Sequence, residues 1–228
     1  MAINDHTLLV EGEADRGFFE VMCRSLGLEA RVEVAPPRRF GAGRDTKQAA
    51  FNILPMLLED LVDREDGRLA VVVDADNHAH GGGFLRTVEQ FSNKVKDYGY
   101  RCSNPNVTPP EGLIFHHDDG LNDLGLWVMP NNADEGMLEH WLAQCLLAGE
   151  QPWFDHASRV LDELPFDPKF KPLHRPKAEI ATWLAWQERP GEGLYNALDA
   201  GLIDKEKPLY RALADWLERI FPEPGLSD

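Results

Sequence analysis

The stretch Leu69-Ala70-Val71-Val72-Val73-Asp74-Ala75-Asp76 constrains this chain most. Five apolar residues without a polar break read as a strand leaving a hydrophobic core. The run then stops on two aspartates separated by one alanine. Side chains alternate along a strand with period two, so Asp74 and Asp76 are expected on one face if the extended run continues. Carboxylates about 6–7 Å apart at Cα on one face repel each other. A divalent cation is the usual compensation.

The elements around this strand set the fold class. His6–Gly12 is an apolar run stopped by glycine, and residues 13–26 place Phe18, Phe19, Met22 and Leu26 at helical spacing, with Gly27 as the stop. Residues 30–36 alternate like a strand, and residues 45–62 form an amphipathic helix with Asp45 or Thr46 as cap and Pro55 as a kink. After the strand at 69–74 come a helix at 83–98 and strands at 112–117 and 124–130. This alternation predicts an α/β fold, a Rossmann-like, mostly parallel sheet flanked by helices. Beyond Pro130 only helical patterns remain, at 135–148, 155–164, 176–189, 193–201 and 208–221. The chain therefore divides into an α/β core over 1–134 and a helical extension over 135–228 packed on it, with one single domain as the other description. Its six tryptophans, among them Trp141, Trp183 and Trp186, fall on apolar helical faces and read as core.

Charge narrows the function. The chain carries 39 acidic and 23 basic residues, a net −16, whereas a general nucleic-acid coat needs a basic surface. Any phosphate contact must pass through a local basic patch or a bound metal. Cys23, Cys102 and Cys145 lie far apart, as free thiols in a reducing cytoplasm do. The apolar runs are too short to span a bilayer, and the start lacks the pattern of a signal peptide. A cytoplasmic protein without a membrane partner is the expectation.

Ligands of open α/β sheets bind at the carboxyl ends of the strands. The first strand ends in Val10-Glu11-Gly12, with Glu13 and Asp15 just beyond; the third ends in Asp74-Ala75-Asp76-Asn77; the strand at 124–130 ends in Pro130-Asn131-Asn132, followed by Asp134 and Glu135. Oxygen-only clusters of this kind suit Mg²⁺ or Mn²⁺ rather than zinc. For Asp15, Asp134 and Glu135 a second explanation stands, the capping of the following helices. It suits Asp74 and Asp76 poorly, because one cap needs one carboxylate.

The strand and helix Leu8-Leu9-Val10-Glu11-Gly12-Glu13-Ala14-Asp15, followed about sixty residues later by Val71-Val72-Val73-Asp74-Ala75-Asp76, resemble the Toprim domain. That is the metal-binding module of topoisomerases, primases and the overcoming-lysogenisation-defect type nucleases. With "MPNNADEGMLEHWL" and "KAEIATWLAWQERPGEGL" the chain looks closer still to an uncharacterised bacterial family of Toprim-like proteins. The resemblance implies Glu11 as general acid or base and cation ligand, and Asp74 and Asp76 as holders of Mg²⁺ or Mn²⁺, Asp74 counted with the catalytic groups. Asp15, Asn77, Asn131, Asn132 and Glu135 would support them. The chemistry implied is phosphodiester hydrolysis on nucleic acid, as in a nuclease. The chain has no topoisomerase-like tyrosine, zinc ribbon or ATPase P-loop, which suits a free-standing module working beside a separate ATPase or restriction-type partner.

Arg38, Arg39, Arg44 and Lys47, around two glycines before a helix, read either as a phosphate cradle or as a solvated loop. Lys177, at a helix start, is a further phosphate contact or a surface lysine. His78, His80, His116 and His117 lie near no cysteine and read as loop residues, with His78 open to a substrate role. Two other functions compete: a Toprim-like binding module without catalysis, and a phosphotransferase resembling the haloacid dehalogenases, which share a strand ending in Asp-x-Asp.

Overall fold

The structure, a computed structural model, describes residues 6–35, 46–62, 64, 66–77 and 82–222. Six strands form one sheet: β1 (His6–Val10), β2 (Arg31–Val34), β3 (Arg68–Asp74), β4 (Tyr100–Cys102), β5 (Leu113–His117) and β6 (Leu124–Met129). Their order is β2-β1-β3-β6-β5-β4. The pairs β2–β1, β1–β3 and β3–β6 are parallel; β5 runs antiparallel to β6, and β4 antiparallel to β5. The sheet is thus mixed but mostly parallel, an α/β arrangement of Rossmann-like kind.

Period two along β3 assigns its residues to two cores. Ala70 and Val72 face a layer made by α1 (Glu13–Leu26) and the C-terminal helices α4 (Leu138–Cys145), α5 (Gln151–Asp162), α6 (Arg175–Leu184), α7 (Asn196–Asp199) and α8 (Pro208–Ile220). Leu69, Val71 and Val73 face α2 (Thr46–Val62) and α3 (Phe84–Val95). The helical C-terminal part is therefore one layer of the sheet, sharing its core. Helix α1 ends where expected, at Gly27, whose φ of 73° is left-handed and suits glycine.

Helix α8 seats against the sheet through glycine. A Cβ on Gly112 would stand 2.2 Å from Trp216 Cδ1, and one on Gly125 2.7 Å from Trp216 Cζ2. Trp216 Nε1–H closes the contact by donating to the Leu113 carbonyl at 3.2 Å.

Several expectations are corrected. Strand β4, three residues long, was not foreseen. The helix expected over 193–201 is a single turn, Asn196–Asp199, and that expected from 135 begins at Leu138. Trp127 is on a strand, while Trp153 and Trp186 are 55% and 39% exposed, so not all six tryptophans are core. Cys23, Cys102 and Cys145 are free thiols, and among the described residues no helix is long and apolar enough to cross a membrane.

Strand β1 has β2 on one side and β3 on the other, and the helices that follow β1 and β2 cover opposite faces. The crevice at the carboxyl ends of β1 and β3 is thus the topological switch point, where open α/β sheets bind ligands.

Candidate functional site

Glu11 and Asp74 meet in that crevice. Glu11 follows the last residue of β1, and its Oε1 accepts the backbone N–H of Asp74 at 3.0 Å; its Oε2 accepts the Thr46 hydroxyl at 3.2 Å. Burial is the main influence on the Glu11 carboxyl, raising its pKa to about 8; Lys47 opposes the rise and Asp76 adds to it. Asp74 Oδ1 accepts the Leu138 N–H at 3.1 Å, at the start of α4. Burial, then Glu11, Asp15 and Glu139, hold Asp74 well above the ordinary carboxylate range, with Lys177 opposing.

Asp15 fits both explanations offered for it. Its Oδ2 accepts the Gly12 N–H at 2.9 Å, as a residue in the first turn of a capped helix does. It also faces the site: burial and the Glu139 charge raise its pKa to about 6, against Lys177 and the Gly12 N–H.

Asp76 departs from the expectation that it shares a face with Asp74. The backbone turns left-handed at Asp76, with φ 60°, and its N–H donates to the Gly136 carbonyl at 3.0 Å. The chain then folds back so closely that a Cβ on Gly82 would stand 2.6 Å from Asp76 Cβ. The Asp76 carboxylate pairs with Lys47 on α2. Asp74 therefore reaches the layer of α4 and α6, and Asp76 the layer of α2, with Glu11 between them.

Lys177 Nζ lies 2.9 Å from Glu139 Oε1. Burial works against the Lys177 charge, but Glu139 outweighs it, and the pKa stands above its ordinary value. Glu139 is 4% exposed and its other oxygen, Oε2, has no hydrogen-bond partner among the described residues. Sequence reasoning missed Glu139 and Thr46. A carboxylate inside the apolar run Met137-Leu138-Glu139-His140-Trp141-Leu142 was the available signal for Glu139. Thr46 stands at a helix start, where capping is the local reading of a threonine.

The remaining expectations divide. Asn132 does not serve the site: it is fully buried, accepts the Val128 N–H at 2.7 Å and donates to the Pro110 carbonyl at 3.1 Å, fastening the end of β6. Asn131 and Asp134 bond each other, locally. Asn77 and Glu135 line a groove beside the site with Asp76. His116 pairs with Asp123 and His117 packs against Tyr100, both on the antiparallel half of the sheet. Arg38, Arg39, Arg44, His78 and His80 lie outside the described residues.

Glu11, Asp15 and Asp74 line one cavity of about 10 Å³, measured as space open to the centre of a water molecule. That is room for about one water-sized particle. The donor chemistry suits a hard cation: the polar side chains that line the cavity are all carboxyls. As they stand, no three His, Cys, Asp or Glu side chains among the described residues are gathered closely enough to hold a metal ion.

Residues 5–222 match the family described as "Protein of unknown function (DUF3226)". No curated protein and no solved structure matches the chain.

Proposed function

This chain belongs to that family, and we propose that it is a Mg²⁺- or Mn²⁺-dependent phosphodiester hydrolase acting on nucleic acid. One observation carries the reading. At the switch point of the sheet, Glu11 holds the Asp74 backbone while burial raises its own pKa to about 8. An acid whose pKa lies near the working pH is suited to proton transfer, and it is placed where α/β sheets bind ligands. The likeness of Glu11-Gly12 and Asp74-Ala75-Asp76 to the Toprim pattern supports the same chemistry.

Asp74 and Asp15, which share one cavity with Glu11, are the residues that would hold the cation. When bound, such an ion polarises a phosphoryl oxygen and lowers the pKa of its water. Neutral Glu11 is a proton donor to the leaving oxygen, and the resulting carboxylate is stabilised by Lys47 on one side and the Asp74 N–H on the other. Lys47 and Lys177 present compact positive charges at two flanks of the crevice. Asp76, paired with Lys47, orders that lysine.

A binding module without catalysis is the second reading. It is favoured by the ion pairs that Lys47 and Lys177 already make with Asp76 and Glu139. The deciding experiment incubates the protein with single- and double-stranded DNA and RNA in Mg²⁺ or Mn²⁺, beside Glu11→Gln. The hydrolase reading expects cleavage that Glu11→Gln lowers about 10²–10⁴-fold. No cleavage above the Glu11→Gln background, on any substrate, removes it in favour of the binding module.

A further inference from the structure

The carboxyls beside Asp74 already have a cation among them, the ammonium of Lys177. Both members of its pair with Glu139 are seated by backbone and charge. Asp74 Oδ1 takes the Leu138 N–H and so ties the start of α4, where Glu139 is the second residue, to the end of β3. Lys177 is the third residue of α6, which opens on Arg175 and Pro176. Arg175 anchors that turn, 2.9 Å from Glu179 Oε1 and 2.7 Å from Asp162 Oδ1 at the end of α5.

Three carboxyl groups favour the ammonium against the cost of its burial, Glu139 first, then Asp74 and Asp15. Glu139 uses one oxygen on Lys177, and the other is buried without a hydrogen-bond partner among the described residues. The cavity of Glu11, Asp15 and Asp74 has room for about one water-sized particle, and Glu139 does not line it.

We infer that the crevice works with one divalent cation, in the cavity of Asp74 and Asp15, and that the Lys177 ammonium, seated by Glu139, stands in for a second. Sites that cleave phosphodiesters with two metal ions clamp the attacking and leaving oxygens between charges about 3.5–4 Å apart. A lysine ammonium is a compact point charge with three donors, and it serves one such oxygen without a coordination shell. The lysine is half exposed and open to a phosphoryl oxygen arriving from solvent, whereas Glu139 is buried behind it. Glu139 is thus a positioning residue. The inference rests on the proposed hydrolase reading for its purpose, but the number of cations is measured without substrate.

Removing the ammonium exposes its place. A buried carboxylate left without its partner is costly, and carboxylate oxygens of this kind are ligands for a hard cation. Mn²⁺ is titrated into the full-length protein at pH 8, with unbound ion read from its EPR signal. About 0.15 M salt screens the exposed carboxylates. The parent is expected to bind one Mn²⁺ per chain and Lys177→Met two. Lys177→Arg, which keeps the charge, and Lys177→Met/Glu139→Gln, which removes both partners, should each bind one. Two ions on the parent or on either control, or one on Lys177→Met, would overturn the inference; the parent decides alone if Lys177→Met does not fold. The expected counts in a protein that cleaves nothing keep the inference and remove the hydrolase reading. Cleavage by a parent holding two ions does the reverse, and a parent that binds no Mn²⁺ removes both.

Discussion

Lys177 Nζ and Glu139 Oε1 stand 2.9 Å apart, with the lysine side chain half exposed and the glutamate side chain 5% exposed. The asymmetry sets what each removal costs. Without Lys177 the buried Glu139 side chain loses its ion-pair partner, beside Asp15 and Asp74. Removing one partner of a fully buried pair costs about 3–5 kcal/mol, and the exposure of Lys177 reduces this to about 2 kcal/mol. Chemical denaturation at pH 8 should show Lys177→Met destabilised by that amount. The double variant Lys177→Met/Glu139→Gln should recover most of it. A double variant no better than the single would show that Lys177 acts through packing.

The raised carboxyls give the protein an unusual pH dependence. Glu11 rises from 4.5 to about 8 and Asp15 from 3.8 to about 6, so between those values the folded state holds protons that the unfolded state has released. With more protons on the folded state, stability falls as pH rises, by up to about 1.4 kcal/mol per pH unit for each excess proton. Their contribution is complete below about pH 4 and is lost between about pH 4 and 8. Melts in chelator should therefore show a lower Tm at pH 8 than at pH 5.5. Glu11→Gln can keep both hydrogen bonds, the amide oxygen accepting from Asp74 and the amide donating to Thr46, so it should flatten the decline. A Tm that rises from pH 5.5 to 8 in the parent would show that these carboxyls are not held neutral.

Sequence reasoning reached the strands and the Glu11–Asp74 meeting because both follow from local pattern. An apolar run ends where the core ends, and in neighbouring parallel strands those ends lie side by side. It misplaced Asp76 because one left-handed residue, at φ 60°, replaces the alternation on which the expectation depended. The compensation arriving from Lys47 on α2 is likewise a tertiary fact. Strand β4 escaped because Tyr100-Arg101-Cys102 is too short to show a period, and its strand character comes from pairing with β5. Asn132 looked like a site residue because it follows a strand end; its burial against Val128 and Pro110 depends on a loop from elsewhere in the chain.

The seat of α8 is a second tertiary fact with a simple test. Gly112→Ala would drive a methyl carbon to 2.2 Å from the Trp216 ring, which is 4% exposed and hydrogen-bonded to Leu113. Overpacking of this kind costs about 1–3 kcal/mol. Gly149 has nothing within 4 Å of a built Cβ, so Gly149→Ala should be close to neutral. Denaturant midpoints of the two variants separate the cases. If Gly112→Ala matched Gly149→Ala, α8 would sit less tightly on β5 than described.

The final test asks which carboxylates answer to a cation. Asp74→Asn keeps an oxygen for the Leu138 N–H and removes a carboxyl whose ionisation burial, Glu11, Asp15 and Glu139 all oppose. In chelator at pH 8 the variant should be as stable as the parent, or more so by on the order of 1 kcal/mol. A cation that binds only the folded state stabilises it by mass action, about 2.7 kcal/mol at a hundredfold excess over Kd. The parent should gain in this way on addition of Mg²⁺ or Mn²⁺, and Asp74→Asn should gain much less. Asp76→Asn is the discriminating companion. The Asp76 carboxylate faces Lys47 on the other side of Glu11, so its loss should weaken the α2 side while leaving the response to cation near that of the parent. Thermal melts of the three proteins, in chelator and then in millimolar metal, decide it. If Asp76→Asn loses the response and Asp74→Asn keeps it, the cation belongs with Asp76 and the assignment to Asp74 and Asp15 fails. If all three respond alike, the aspartates are structural and the hydrolase reading loses its cation.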